Sequence, residues 1–148
     1  MTINELARDH SVIALDANAI IYMLEAASLG KLVRALVELI EGGDLRGVVS
    51  AVGVAEILVK PAITGDVATF ERYAEELRGI SNLRIVSIDA ETAVDAAWIR
   101  GQNRIGLTDS LHLACARAAG ATAFVTNDPR IPSRPGLDVV LLSELQAV

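Results

Sequence analysis

Five short apolar runs, each followed by a stretch with helical spacing, constrain this chain more than any other feature. The runs are SVIAL (11–15), RGVVS (46–50), LRIVSI (83–88), TAFVT (122–126) and LDVVLL (137–142). Their length and β-branched content read as strands. Amphipathic or alanine-rich segments at 17–26, 29–41, 51–59, 66–78, 90–104 and 108–119 read as helices. The punctuation agrees with them. Gly42, Gly43, Gly79, Gly106 and Gly120 stand just past helix ends, Pro61 closes another, and Thr64 or Asp66, Asp89 and Thr108 suit helix starts. Alternating strands and helices predict a parallel sheet. Apolar strands need helices on both faces, so the expected architecture is a three-layer α/β/α fold. Without an internal repeat, a linker or a low-complexity block, residues 1–148 are expected to form a single domain.

Composition narrows the function classes. With 52% hydrophobic and 22% charged residues the chain can bury a core, which excludes a disordered protein. Asp16, Glu25, Lys31 and Arg34 interrupt its most apolar stretch, so no membrane span is expected. The opening residues MTINELARDH lack the basic start, apolar stretch and cleavage site of a secretory leader, and a cytoplasmic location is expected. Cys115 is the only cysteine, which rules out an internal disulfide and a thiolate-rich zinc site and suits a small core residue. The net charge of −6 counts against nucleic-acid partners, since phosphate contacts need Lys and Arg. Its distribution softens that objection: residues 98–136 carry five arginines against two aspartates.

In parallel α/β sheets, ligands bind beyond the carboxyl ends of the strands, where strand order reverses. The polar residues expected there are few. The first strand ends in Asp16, with Asn18 two residues on, and the fourth ends in Thr126, Asn127 and Asp128. The second leads into AVGVAEIL, an apolar helix with one acid, Glu56, and LTDSLHLACARA puts Asp109 in the first turn of a helix. Each acid has an ordinary alternative. Asp109 suits a helix cap or a dipole partner, Asp128 before Pro129 a turn, and Glu56 a narrow solvent stripe. Asp16 is harder to explain, because a charge at the end of a buried strand is costly without a partner. Two carboxylates 4 Å apart repel by about 4 kcal/mol at an effective dielectric of about 20, so four at one sheet edge call for a cation. Oxygen-only ligands suit Mg²⁺ or Mn²⁺ rather than zinc. Without the four acids the net charge would be −2.

The order LDANAI, an isolated Glu after the second strand, TDSLHLACA and VTNDPR resembles the PIN domain, and length and build are similar to those of VapC-type toxins. The resemblance spans nearly the whole chain. It implies a five-stranded parallel sheet of order 3-2-1-4-5, with the tips of strands one and four side by side. It further implies that Asp16, Glu56, Asp109 and Asp128 are the catalytic, metal-binding acids, with Asn18 and Thr126 orienting them or holding water. The activity implied is Mg²⁺-dependent hydrolysis of RNA phosphodiester bonds, leaving a 5′-phosphate and a 3′-hydroxyl. The partners implied are an RNA substrate, a cognate VapB-type antitoxin and a second copy of the chain. Arg130 and Arg134, in the loop after the fourth strand, are the best candidates for RNA phosphate contacts.

Other readings are weaker. His112, three residues after Asp109, suits a general base or a histidine packed among Leu111, Leu113 and Ala114, and His10 lies in the N-terminal extension, so cleavage by paired histidines has little support. Trp98 suits the core or a self-association surface. Aspartyl-phosphate proteins need a late lysine, and none follows Lys60; LDANAI also lacks their phosphatases' second Asp. Neither GxGxxG nor GxxxxGK[ST] occurs. The remaining alternative is a catalytically silent PIN-like fold that binds RNA or protein.

Overall fold

The computed structural model describes all residues, 1–148. Helix α1 (Ile3–Asp9) precedes β1 (Val12–Leu15), then come α2 (Ala17–Leu24), α3 (Gly30–Gly42), β2 (Arg46–Ser50), α4 (Ala51–Thr64) and α5 (Val67–Gly79). The chain continues through β3 (Leu83–Val86), α6 (Ala90–Gln102), α7 (Leu107–Ala118), β4 (Ala123–Thr126), β5 (Asp138–Leu141) and a 3₁₀ turn, Leu142–Glu144. The five strands form one parallel sheet of order β3-β2-β1-β4-β5.

Side-chain alternation along the strands feeds two apolar layers. Ile13, Leu15, Val49, Ala123 and Val125 face α1 to α5 and pack with Leu6, Ile20, Leu36, Ile57 and Leu77. Ala14, Val48, Val86 and Phe124 face the other way and pack with Ile99 of α6 and Leu113 and Cys115 of α7. The inner strands β2, β1 and β4 are covered on both sides, whereas the edge strand β3 leaves Arg84 and Ile85 exposed. The register pairs Leu15 with Val125, so β1 and β4 end together at the point where the strand order reverses. No helix is long and apolar enough to cross a membrane.

Several expectations need correction. Helix α1 was not expected. It is set by Thr2 and Glu5, each side chain accepting the other's backbone N–H at 3.1 and 2.8 Å, with Ile3 and Leu6 buried beneath it. Pro61 does not close α4: the helix runs on to Thr64, the proline ring is buried, and the Thr64 hydroxyl donates to the Pro61 carbonyl. Gly65, at φ +68°, makes the actual stop. Thr108 does not cap α7; Gly106 occupies that place, whereas Asp66 and Asp89 cap α5 and α6 by accepting the amides of Thr69 and Thr92. The third strand ends at Val86, two residues early, and the fifth is trimmed by one residue at each end. Helix α6 stops at Gln102, and Trp98 on it is 66% exposed, which removes it from the core.

Candidate active site

The four acids reach one edge of the sheet from four different elements. Asp16 follows the last residue of β1 and precedes α2, and its amide donates to Val125 O at 2.9 Å, which extends the β1–β4 ladder by a residue. Its carboxylate is buried, with the residue 5% exposed, and Oδ2 accepts the Thr126 hydroxyl at 2.6 Å. Thr126 is wholly buried and its Oγ1 also accepts the Asp128 amide at 3.1 Å. One hydroxyl thereby joins the strand-tip acid to the loop that carries the fourth acid.

Asp128 Oδ1 accepts the Arg130 amide at 3.0 Å, the turn role open to any Asp at this place. The Arg130 guanidinium closes onto the same carboxylate through Nε at 2.9 Å and Nη2 at 2.7 Å. Those bonds hold the Asp128 carboxyl below the ordinary range. Arg134 is half-buried, with Nη1 enclosed and lacking a hydrogen-bond partner. Asn127 Oδ1 accepts the Ser143 amide and ties the loop to the 3₁₀ turn. Asn18 is exposed in the first turn of α2.

Asp109 lies half-buried in the first turn of α7. It is not the cap, so that ordinary reading does not explain it. Its carboxyl is raised above the usual range, first by burial and then by the negative charges of Asp16, Asp128 and Glu56, with His112 acting in the opposite direction. Asp109 therefore senses all three other acids at once. A favourable helix-dipole position is overridden by the company it keeps.

Glu56, one turn into α4, has a 44% exposed side chain whose Oε1 meets His112 Nε2 at 2.5 Å. His112 on α7 is only 3% exposed, and its Nδ1 lies 2.6 Å from Ser50 Oγ. Burial disfavours the imidazolium, but the Glu56 bond and the charges of Asp16, Glu56 and Asp109 outweigh it, and the pKa is raised. Packing among Leu111, Leu113 and Ala114 was half of the sequence reading; the polar contacts at both ring nitrogens are new. Ser50 went unnoticed as more than a strand end. Its position at a strand tip before an apolar helix is a cap signal, and it does accept the Gly53 amide at 3.0 Å.

A five-stranded parallel sheet with carboxylates beyond its switch point defines an open α/β protein with its polar residues at that edge. The particular family follows from comparison: the PIN domain family model matches residues 13–137, and the chain belongs to that family. No curated protein matches it. Among solved structures, FitAcB from Neisseria gonorrhoeae superposes with a TM-score of 0.68 at 22% identity, over 90% of this chain and 99% of that one. A toxin–antitoxin complex from Klebsiella pneumoniae gives 0.67 at 18%, over 88% and 97%. The Mycobacterium tuberculosis toxin VapC20, described as cleaving the sarcin–ricin loop, gives 0.58 at 12%, over 76% and 86%. At these identities the likeness is one of fold.

Proposed function

We propose that this protein is a metal-dependent endoribonuclease that hydrolyses RNA phosphodiester bonds, and that it serves as the toxin of a VapBC-type toxin–antitoxin pair. The observation that carries this reading is that Asp16, Glu56 and Asp128 all lie close enough to Asp109 to add their charge to burial, the larger cause, in raising its carboxyl. A cluster that repels itself in this way has the charge to hold a divalent cation. The structural neighbours from toxin–antitoxin systems, one of them described as cleaving the sarcin–ricin loop, support the choice of substrate.

The donor set fits Mg²⁺, with Mn²⁺ as a substitute, because it consists of hard carboxylate oxygens. No three Asp, Glu, His or Cys side chains are drawn together tightly enough to cage an ion alone. Mg²⁺ does not require such a cage, since it keeps several waters and commonly takes one or two carboxylates plus substrate phosphate. Asp16, Glu56, Asp109 and Asp128 would hold it, and when bound it supplies Lewis-acid polarisation of the phosphoryl group and lowers the pKa of water. Thr126 fixes the Asp16 carboxylate, and the exposed Asn18 amide offers a donor at the mouth of the site. Arg130 pairs with Asp128 until a phosphate arrives, and together with Arg134 it supplies positive charge for the RNA backbone. The products would carry a 5′-phosphate and a 3′-hydroxyl. A VapB-type antitoxin covering the acidic edge, and a homodimer, complete the proposed assembly.

The test is cleavage of total RNA by purified protein with Mg²⁺, with EDTA and with Asp16→Asn. Discrete cuts bearing 5′-phosphate that need metal and vanish in the variant are expected. Cuts that persist in both controls, or silence from antitoxin-free protein, would overturn the nuclease and favour a binding-only fold.

A further inference from the structure

We propose that His112, backed by Ser50, is a positioning residue that holds the Glu56 carboxylate at the metal-binding edge; this rests on the proposed role of the four acids. Glu56 needs such help more than Asp16 or Asp128. Asp16 is fixed by Thr126 and Asp128 by its own turn, whereas Glu56 is a longer side chain on an exposed part of α4, with rotamer freedom to lose. The contact with His112 engages Oε1 and leaves Oε2 outside the bond. One oxygen is thereby anchored while the other is free to meet a ligand.

The anchor is itself built. His112 is buried on α7, its ring is tilted beside Phe124 with centroids 6.5 Å apart, and its Nδ1 meets Ser50, the residue that caps α4. A hydroxyl can donate to Nδ1 or accept from it, so Ser50 orients the ring in either protonation state and leaves Nε2 directed at Glu56. Gly53 packs beside the pair: a Cβ there would lie a tight 3.0 Å from Val49 Cγ2 and in ordinary contact, 3.4 Å, with His112 Cε1. The start of α4 thus supplies both the cap and the acid, and α7 supplies both the imidazole and Asp109.

The experiment compares His112→Leu, His112→Gln, Ser50→Ala, Glu56→Gln and the double variant His112→Leu/Glu56→Gln in the full chain. Mn²⁺ affinity is read by spin-resonance titration, melting temperature in EDTA, and kcat and KM with an RNA that the wild type cuts. Groups that orient metal ligands are commonly worth about 10- to 100-fold in metal affinity or activity. His112→Leu is expected to weaken Mn²⁺ binding in that range and to lower kcat in parallel, with KM for RNA unmoved. The Gln amide can still donate to Glu56, so His112→Gln should recover most of the loss, and Ser50→Ala should lose less than His112→Leu. Because His112 acts through Glu56, the double variant should bind Mn²⁺ no more weakly than Glu56→Gln alone. Unchanged Mn²⁺ affinity in His112→Leu, losses that multiply in the double variant, or a folded His112→Gln that recovers nothing would each overturn the proposal. Wild-type protein that binds Mn²⁺ through Glu56 yet cuts no RNA would overturn the nuclease alone, and the Mn²⁺ comparison would still decide the positioning role. Wild-type protein that binds no Mn²⁺ would overturn both.

Discussion

Thr126 donates its one hydroxyl proton to Asp16 and accepts the Asp128 amide on the same oxygen, and neither neighbour has a ready replacement. Thr126→Val keeps the shape and removes both bonds. A buried carboxylate then loses a charge-assisted bond and an amide is orphaned, at a cost of about 1.5–3 kcal/mol. We expect urea unfolding to show that loss and cleavage to fall at least tenfold, while Thr126→Ser keeps most of both; a Val variant as stable and active as wild type would refute this role. Asp16 and Glu56 stand out in the sequence as lone charges in apolar settings, whereas Asp109 and Asp128 are marked only by their place in the order of strands and helices. The contact between Glu56 and His112 was not legible there, because it joins residues 56 apart whose meeting depends on how α7 packs against α4.

At the scale of elements, the inner strands are read well because burial on both faces leaves a short apolar signature, and helix ends are read less well because several signals compete. Pro61 was read as a terminator on its missing N–H alone, yet its buried ring and the glycine four residues later let α4 run past it. The reverse error hid α1, whose Thr-x-x-Glu start is a recognisable cap but whose seven residues offer only two buried apolar positions. The join between α2 and α3 carries a constraint of another kind. At Gly30 an added Cβ would lie 2.4 Å from the Tyr22 carbonyl oxygen and 3.3 Å from Met23 Cα, both backbone atoms that no rotamer change can move. Gly30→Ala should therefore cost about 1–3 kcal/mol by forcing the two helices apart. At roughly 2–4 °C per kcal/mol for a chain of this size, a thermal melt should register the loss, and an unchanged Tm would show that the helices can separate freely.

For the molecule as a whole, strand order could not be read from the alternation of strands and helices, which fits several arrangements; it came only through the family resemblance. The charge problem, by contrast, was legible from the start. On the proposed reading, the acid whose ionised form the apo fold disfavours is Asp109, and a bound cation would relieve that cost. Burial and three other carboxylates all disfavour the ionised Asp109. A carboxyl raised in the folded state binds protons there that the unfolded chain has already released, so stability falls as pH rises from the ordinary carboxyl range through the raised value. In EDTA at neutral pH, Asp109→Asn should thus melt above the wild type, and the gap should close as acidification neutralises Asp109. Saturating Mn²⁺ should reverse the order. Metal at about 100 times its Kd adds about 2.7 kcal/mol to the wild type, a rise of roughly 5–10 °C, while the Asn variant, lacking a ligand, gains less. Melting curves of the two proteins with and without Mn²⁺ check both halves together. A variant that melts below wild type in EDTA would mean that Asp109 is stabilising in the empty site, and equal gains with Mn²⁺ would remove it from the metal's ligands.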